Sequence, residues 1–107
     1  MKTKYQILEA VSESCETTMN IISGSRRTKK ASFARDICAF ILHKCGHSHE
    51  DISRTVNRER SSVTHMIKRV SKLINENSNR GRIMRLQIKD ILDNFLKIDF
   101  IDIDERY

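Results

Sequence analysis

The sequence predicts an all-α protein of five to six helices. Its 107 residues include no proline, so the residue type that most strongly breaks a helix is missing. Apolar residues recur at intervals of three and four, as on one face of a helix, and do not alternate as in a strand. A short periodic segment, a tight turn and a longer periodic segment follow one another, which is the pattern of a helix-turn-helix. A chain of this length has room for one core, so we expect a single domain over residues 1–107.

Two helices are expected at the start of the chain. Apolar residues at helical spacing from Tyr5 onward predict a first helix that ends near Cys15. Thr17 or Thr18 can cap a short second helix, because a threonine hydroxyl accepts a hydrogen bond from a first-turn N–H. Gly24 is expected to end that helix.

A polar basic loop, residues 25–30, separates these helices from a third one. Its sequence, Ser25-Arg-Arg-Thr-Lys-Lys30, carries four cationic side chains. The third helix is expected to begin near Ser32 and to end at Gly46. Its core-facing stripe comprises Phe33, Ile37, Phe40 and Ile41.

The helix-turn-helix is predicted in the middle of the chain. Ser48-His-Glu-Asp51 is similar to a capping box, which places the start of a two-turn fourth helix at Ser48. Asn57 favours a tight turn, since asparagine tolerates the left-handed backbone conformation. The recognition helix is expected over about 61–77, capped by Ser61 or Ser62. Its buried stripe comprises Val63, Ile67, Val70 and Ile74.

One more helix is predicted from about Arg82 to Leu96. Its apolar residues include Ile83, Leu86, Ile91 and Leu92. An acidic C-terminal end follows over about 97–107.

The recognition helix is predicted to turn a polar, cationic face to DNA. Burial of its apolar stripe leaves Ser61, Ser62, His65, Lys68, Arg69 and Lys72 outside. Short hydroxyls allow close approach to base edges or phosphates, and Arg60 can pair with guanine through two hydrogen bonds. Two interpretations of Glu59 are open: it accepts a hydrogen bond from a cytosine amino group, or it is an acid stabilised by the helix dipole.

Positive charge is concentrated in the central half of the chain. The whole chain has a net charge of +6, but residues 23–72 carry twelve basic and four acidic residues, and the flanks together are negative. Such a charge distribution favours a polyanionic partner, either nucleic acid or an anionic membrane surface. No apolar run approaches the roughly 20 residues of a membrane span, and the N-terminus lacks the core of a signal peptide. We therefore expect double-stranded DNA as the partner, no membrane, and a cytoplasmic, nucleoid-associated location.

The cysteines and histidines do not predict a metal site or an enzyme. An odd number of cysteines at irregular spacing favours reduced thiols over a disulfide framework. The residue types that zinc prefers are present at Cys38, His43, Cys45, His47 and His49. The two cysteines would lie two helical turns apart, roughly 10 Å, so we expect no metal and no other cofactor. His43 and His65 lack a paired nucleophile or carboxylate, so neither catalysis nor a small-molecule substrate is expected.

Several segments carry a resemblance to a known family. They are Ile7-Leu-Glu-Ala-Val11, Ile21-Ile-Ser-Gly-Ser-Arg-Arg27, Ala34-Arg35-Asp-Ile-Cys-Ala-Phe and Asn57-Arg-Glu-Arg-Ser-Ser-Val-Thr-His65. From Ile7 to about Leu92 the chain resembles the C-terminal DNA-binding domain, domain IV, of the DnaA replication initiator family. The last segment is similar to the family signature Gly-Gly-Arg-Asp-His-Thr-Thr-Val-Leu-His.

The resemblance implies a Trp repressor-like helix-turn-helix that recognises short duplex sites called DnaA boxes. It implies that Arg27 of the basic loop enters the minor groove, while Arg35 lies near the DNA backbone. The residues Glu59, Arg60, Ser61 and Ser62 would meet bases or phosphates in the major groove, with Ser48, Arg58 and Arg69 at the backbone. Together with the residue chemistry, this gives the predicted contact set Arg26, Arg27, Lys29, Arg35, Ser48, Arg58, Glu59, Arg60, Ser61, Ser62, His65, Lys68 and Arg69.

The departures from the signature affect the expected target. Arg60 stands where the signature has histidine, and serines stand in place of both threonines. Loss of the threonine methyl groups weakens apolar contact with thymine methyls, and arginine favours guanine. The preferred duplex site is therefore expected to differ, while DNA binding is retained, in replication control or transcription regulation.

A protein-interaction adaptor is the alternative function. Such a chain would dock on host replication proteins through its acidic end or an apolar patch, without binding DNA. The sequence leaves the operator sequence and the oligomeric state open.

Overall fold

Six α-helices follow one another in the computed structural model, which describes residues 2–98. They are α1 Lys4–Ser14, α2 Met19–Ile22, α3 Lys29–Lys44, α4 His49–Val56, α5 Arg60–Ile74 and α6 Asn79–Asp90. A π-helical segment, Ile91–Leu96, continues α6 directly. Residues 2–98 contain no strand, which confirms the predicted all-α fold. Most of the predicted acidic end, from residue 99 on, lies outside the described residues.

Helix α3 is the central element of the fold. It packs against α1, α2, α4 and α5. Ile37, Phe40 and Ile41 of its predicted stripe are almost completely buried, and Phe33 is partly buried against the same core. Burial of this much apolar surface is the main favourable contribution to folding, so α3 fixes the positions of the helices around it.

Hydroxyl caps begin five of the six helices described. In each case the hydroxyl oxygen of a residue just before the helix accepts a hydrogen bond from a first-turn backbone N–H. These caps are Thr3, Thr18, Thr28, Ser48 and Ser78. The expected caps at Thr18 and Ser48 are thus confirmed, and Thr3 forms a complete capping box with Gln6.

The predicted boundaries of three helices are wrong. Helix α3 begins at Lys29 rather than near Ser32, because Thr28 caps it. Helix α6 begins at Asn79 rather than Arg82, because Ser78 caps it. The recognition helix was expected over about 61–77 with a serine cap. The observed α5 begins one residue earlier with Glu59 at the N-cap position and ends at Ile74, since Asn75 starts the turn to α6.

The turn between α5 and α6 depends on a close approach of the two helices. Arg85 of α6 donates hydrogen bonds to the carbonyls of Ile74 and Glu76, at 2.8 and 2.9 Å. Gly81 lies against the same carbonyl-rich helix end. A Cβ atom added there would lie 2.2 Å from the carbonyl oxygen of Leu73 and 2.8 Å from that of Glu76. Only glycine lets α6 begin this close to α5.

We expect Gly81→Ala to lower the free energy of unfolding by about 1 to 3 kcal/mol, the usual cost of forcing an extra carbon into a packed site. The backbone must shift, because both clashing atoms belong to it. Urea denaturation measures the loss. The neighbouring exposed change Arg82→Ala is the matched control and should leave stability nearly unchanged. Equal stability of the two variants would contradict this account of the α5–α6 contact.

Candidate nucleic-acid interface

Helices α4 and α5 form the predicted helix-turn-helix. Asn57 ends α4 in the left-handed conformation, with φ 56°, as the sequence predicted. The carbonyl of Ser53 accepts hydrogen bonds from the N–H groups of both Asn57 and Arg58. The Ser53 hydroxyl donates in turn to the Arg58 carbonyl. These bonds fix the direction in which the chain enters α5.

Helix α5 is divided into an apolar and a polar face, as predicted. Val63, Ile67, Val70 and Ile74 are buried, together with Met66. The polar side chains Ser61, His65, Lys68, Arg69 and Lys72 are exposed, and Ser62 is half-buried. One helix therefore anchors itself in the core and offers hydroxyl and cationic groups outside.

The N-terminus of α5 differs from those of the other helices described. Glu59 occupies the N-cap position, but its side chain makes no capping hydrogen bond there. The serine caps expected at Ser61 or Ser62 are therefore wrong, since both residues lie within the first turn. Neither serine hydroxyl caps α5.

A buried arginine organises the basic loop between α2 and α3. Arg35 of α3 is only 3% exposed. Its Nε donates to the carbonyl of Ile22 at 2.7 Å. Its Nη2 lies within hydrogen-bonding distance of the carbonyls of Ile21, Gly24 and Arg26, at 3.1, 3.4 and 2.9 Å. A buried charge is costly unless polar groups surround it, so these carbonyls compensate Arg35 while Arg35 fixes the course of the loop.

The basic loop and α5 meet at a single groove. The groove has a volume of about 330 Å³ and is lined by Arg27, Ser32, Arg35, Asp36, Arg58, Ser62, His65, Met66 and Arg69. Arg27 comes from the loop, Arg58 from the turn, and Ser62, His65 and Arg69 from the polar face of α5. Six residues of the predicted contact set thus line one surface, although the sequence separates them by more than thirty positions.

Positive charges in the groove act on one another. Burial lowers the pKa of the Arg35 guanidinium below its ordinary value, and the charges of Arg58 and Arg27 lower it further. Arg58 is held in place by hydrogen bonds from its Nη1 to the carbonyls of Asn57 and Val56. A surface that crowds cations in this way favours an anionic ligand.

The remaining predicted residues lie outside the groove lining. Arg26 faces a separate depression beside α2, next to Thr18 and Lys30. Ser48 uses its hydroxyl to cap α4. Lys29, Glu59, Arg60, Ser61 and Lys68 are exposed on the first turn of α3 or on and just before α5.

Asp36 belongs to the groove and was missed by the sequence analysis. Its carboxylate accepts two hydrogen bonds from Arg69, at 3.1 and 3.3 Å. Burial nevertheless raises the pKa of the Asp36 carboxyl, while the hydrogen bond and charge of Arg69 act in the opposite direction. No sequence pattern links two residues 33 positions apart, so only its position next to Arg35 could have drawn attention to it.

The three thiols and the imidazoles of His43 and His49 lie outside the groove. The three cysteines all lie within the described residues and form no disulfide. Burial raises the pKa of the Cys38 thiol to about 12, which makes it a poor nucleophile and metal ligand. The rings of His43 and His49 lie 5.3 Å apart. Within residues 2–98 no three side chains of the ligand types are grouped so that they could hold a metal ion.

None of the helices between residues 2 and 98 combines the length and apolar character that crossing a bilayer requires.

Comparison with known proteins gives one family. The family model described as the bacterial dnaA protein helix-turn-helix matches residues 5–70. The chromosomal replication initiator protein DnaA of Thermosipho melanesiensis is 34% identical over 93 residues, which is 86% of this chain and 19% of that protein. DnaA of Ureaplasma parvum serovar 3 is 30% identical over 92 residues, 84% of this chain and 20% of that protein. The chain thus spans about a fifth of the length of these relatives.

Arg35→Lys should loosen the basic loop, because an ammonium group cannot reach the carbonyls that the guanidinium spans. Leaving buried carbonyls unpaired costs about 1 to 3 kcal/mol, so we expect a loss of that size in urea denaturation. Limited trypsin digestion should also cut faster after Arg26 and Arg27, as read by mass spectrometry. Lys29→Gln, an exposed change at the start of α3, is the control. An unchanged cleavage rate in Arg35→Lys would show that the loop does not depend on this side chain.

Proposed function

The chain belongs to the bacterial DnaA helix-turn-helix family, and on this basis we propose that it binds double-stranded DNA in a sequence-specific manner. The observation that carries the proposal is the shared groove, where Arg27 of the basic loop lies with Ser62 and His65 of α5. A loop and a recognition helix at one surface can approach neighbouring grooves of the same duplex. The family is a DNA-binding one and not a catalytic one.

The N-terminal part of α5 enters the major groove in this proposal. Arg60 is exposed at the first position of the helix and can pair with guanine through two hydrogen bonds. Ser61 and Ser62 are short enough for base edges or phosphates to approach the helix closely. Glu59, at the N-cap, accepts a hydrogen bond from a cytosine amino group or is an acid stabilised by the helix dipole.

The basic loop reads the minor groove. Arg27 is exposed, and the loop before it is held by Arg35. A cation inserted into a narrow minor groove meets a strongly negative potential. Arg35 holds the loop in its conformation. Because it also lines the groove, we propose that it lies close to the DNA backbone.

Phosphate contacts fix the position of the domain on the duplex. They are proposed for the exposed or groove-lining side chains outside the base-reading set, namely Arg26, Lys29, Ser48, Arg58, His65, Lys68 and Arg69. Such contacts contribute affinity and register and carry no sequence information directly.

A role in replication control is the proposed context, with transcription regulation as the other use of the same activity. Both relatives are named chromosomal replication initiator proteins. With this activity, the proposed location of the chain is the cytoplasm, on the nucleoid.

A docking surface for replication proteins is the second candidate function. Ile83 and Leu86 are 58% and 56% exposed on α6, one helical turn apart and therefore on one face. Such a pair can bind an apolar patch of a partner. A duplex-binding assay distinguishes the two candidate functions, because a protein that acts only as an adaptor would bind no duplex at any salt concentration.

Selection of bound sequences from a random duplex pool is expected to recover one motif that includes a guanine. Arg60→Ala and Arg27→Ala should then each reduce discrimination between that motif and a scrambled duplex by about 1 to 3 kcal/mol, the value of one base-reading contact. Fluorescence anisotropy at fixed salt measures both affinities. Arg82→Ala, on α6 outside the groove, removes the same charge and should keep the discrimination of the wild type. Recovery of no motif would contradict sequence-specific binding.

Lys68→Ala tests the backbone contacts. The substitution should weaken binding to all duplexes alike and reduce the slope of log affinity against log salt by about one unit, because one phosphate contact and its released counterion are lost. Anisotropy titrations between low and physiological salt give the slope. Arg80→Ala serves as the control on α6. An affinity of the wild type that does not change with salt would count against duplex binding altogether.

A further inference from the structure

An ion pair joins α3 and α5 inside the groove. The Asp36 carboxylate accepts hydrogen bonds from both Nε and Nη2 of Arg69. The Asp36 side chain is only 17% exposed, whereas that of Arg69 is 57% exposed. The carboxylate is thus part of the groove floor, and the guanidinium lies on top of it, towards solvent.

This geometry orients the guanidinium. Arginine has five N–H donors in a rigid planar fork. The side-on pair with Asp36 uses the Nε–H and one Nη2–H. The remaining three N–H groups lie on the edges that do not face Asp36, and two of them, on Nη1 and Nη2, are parallel. A parallel pair of donors matches a phosphate or the acceptor edge of guanine.

Asp36 also reduces attraction to DNA. It is the one acidic residue among the nine that line the groove, all of which lie in the described part of the chain. The other charged residues of the lining, Arg27, Arg35, Arg58 and Arg69, are cationic. A carboxylate here neutralises one of these charges and repels phosphates, so it weakens binding to every duplex unless orientation of Arg69 compensates at the correct one.

We propose that Asp36 is a specificity-determining positioning residue, which holds Arg69 in the orientation that fits the cognate duplex and lowers the affinity for all others. The inference rests on the proposed DNA-binding function and adds to it a residue that acts through Arg69. Oriented phosphate contacts set the register in which base contacts form. Asp36 therefore lowers the affinity for duplex DNA in general and raises the ratio between the affinities for the cognate duplex and for other duplexes.

Asp36→Ala provides the test, with the selected duplex and its scrambled counterpart as probes. We expect affinity for the scrambled duplex to rise about three- to fivefold, the size of effect typical of partly exposed ion pairs. Affinity for the selected duplex should stay constant or fall. The ratio of the two affinities therefore falls at least threefold, and the salt dependence on scrambled DNA becomes steeper by about one unit of slope.

Two controls separate this role from charge and from folding. Asp93→Ala removes a carboxylate that pairs with Lys89 outside the groove and should leave the ratio unchanged. Asp36→Asn keeps an acceptor for Arg69 without the charge, so it should raise affinity for scrambled DNA and retain more of the discrimination than Asp36→Ala. Circular dichroism melting shows whether each variant remains folded at the temperature of the binding assay.

A double-mutant cycle identifies Arg69 as the residue through which Asp36 acts. In an Arg69→Ala background, Asp36→Ala should no longer change the affinity ratio. A full effect of Asp36→Ala without Arg69 overturns the proposal, as does a proportional loss of affinity for both duplexes. A wild-type protein that retains no duplex overturns both this inference and the proposed function, whereas wild-type discrimination that is unchanged in Asp36→Ala overturns this inference alone.

Discussion

The buried guanidinium of Arg35 is the interaction on which the groove depends. It lies on the central helix α3, so the carbonyls of Ile22, Gly24 and Arg26 are held at a fixed place relative to the core. A loop of six residues with little apolar content cannot hold one conformation by its own contacts. By ordering the loop before any ligand arrives, Arg35 reduces the conformational entropy that binding must overcome. The hydrogen bond from Arg35 to the carbonyl of Arg26 holds the neighbouring Arg27 beside α5.

Helix α5 performs two tasks with opposite requirements. Its apolar stripe is built into the core through Val63 and Val70, which are completely buried, and this makes the helix rigid. Its polar face leaves hydroxyls and cations outside. Because both faces belong to one helix, the packing of the apolar face in the core fixes the positions of the polar side chains on the other face. Substitutions in the stripe would therefore shift the polar face, and with it the side chains that we propose contact DNA.

The sequence predicts what depends on local periodicity and misses what depends on distant contacts. Intervals of three and four placed the stripe of α5 correctly, because helical periodicity is a property of neighbouring residues. The starts of α3 and α6 were misplaced, since Thr28 and Ser78 are two among many hydroxyl residues that can cap. The sequence predicts neither the hydrogen bonds of Arg35 to the loop nor the ion pair between Asp36 and Arg69. Both require knowledge of which loop and which helix lie against α3.

The distribution of charge in the groove links binding to stability. Arg27 and Arg58 lie close enough to Arg35 to disfavour its charged form, in addition to the effect of burial. Repulsion among cations opposes the compact state, and Asp36 offsets part of it through Arg69. A bound polyanion would neutralise the same cations from outside, and any ligand that binds only the folded state also stabilises it. Asp36 thus neutralises part of the positive charge of the groove by pairing with Arg69, at the position where we propose that it also affects which duplex Arg69 can contact.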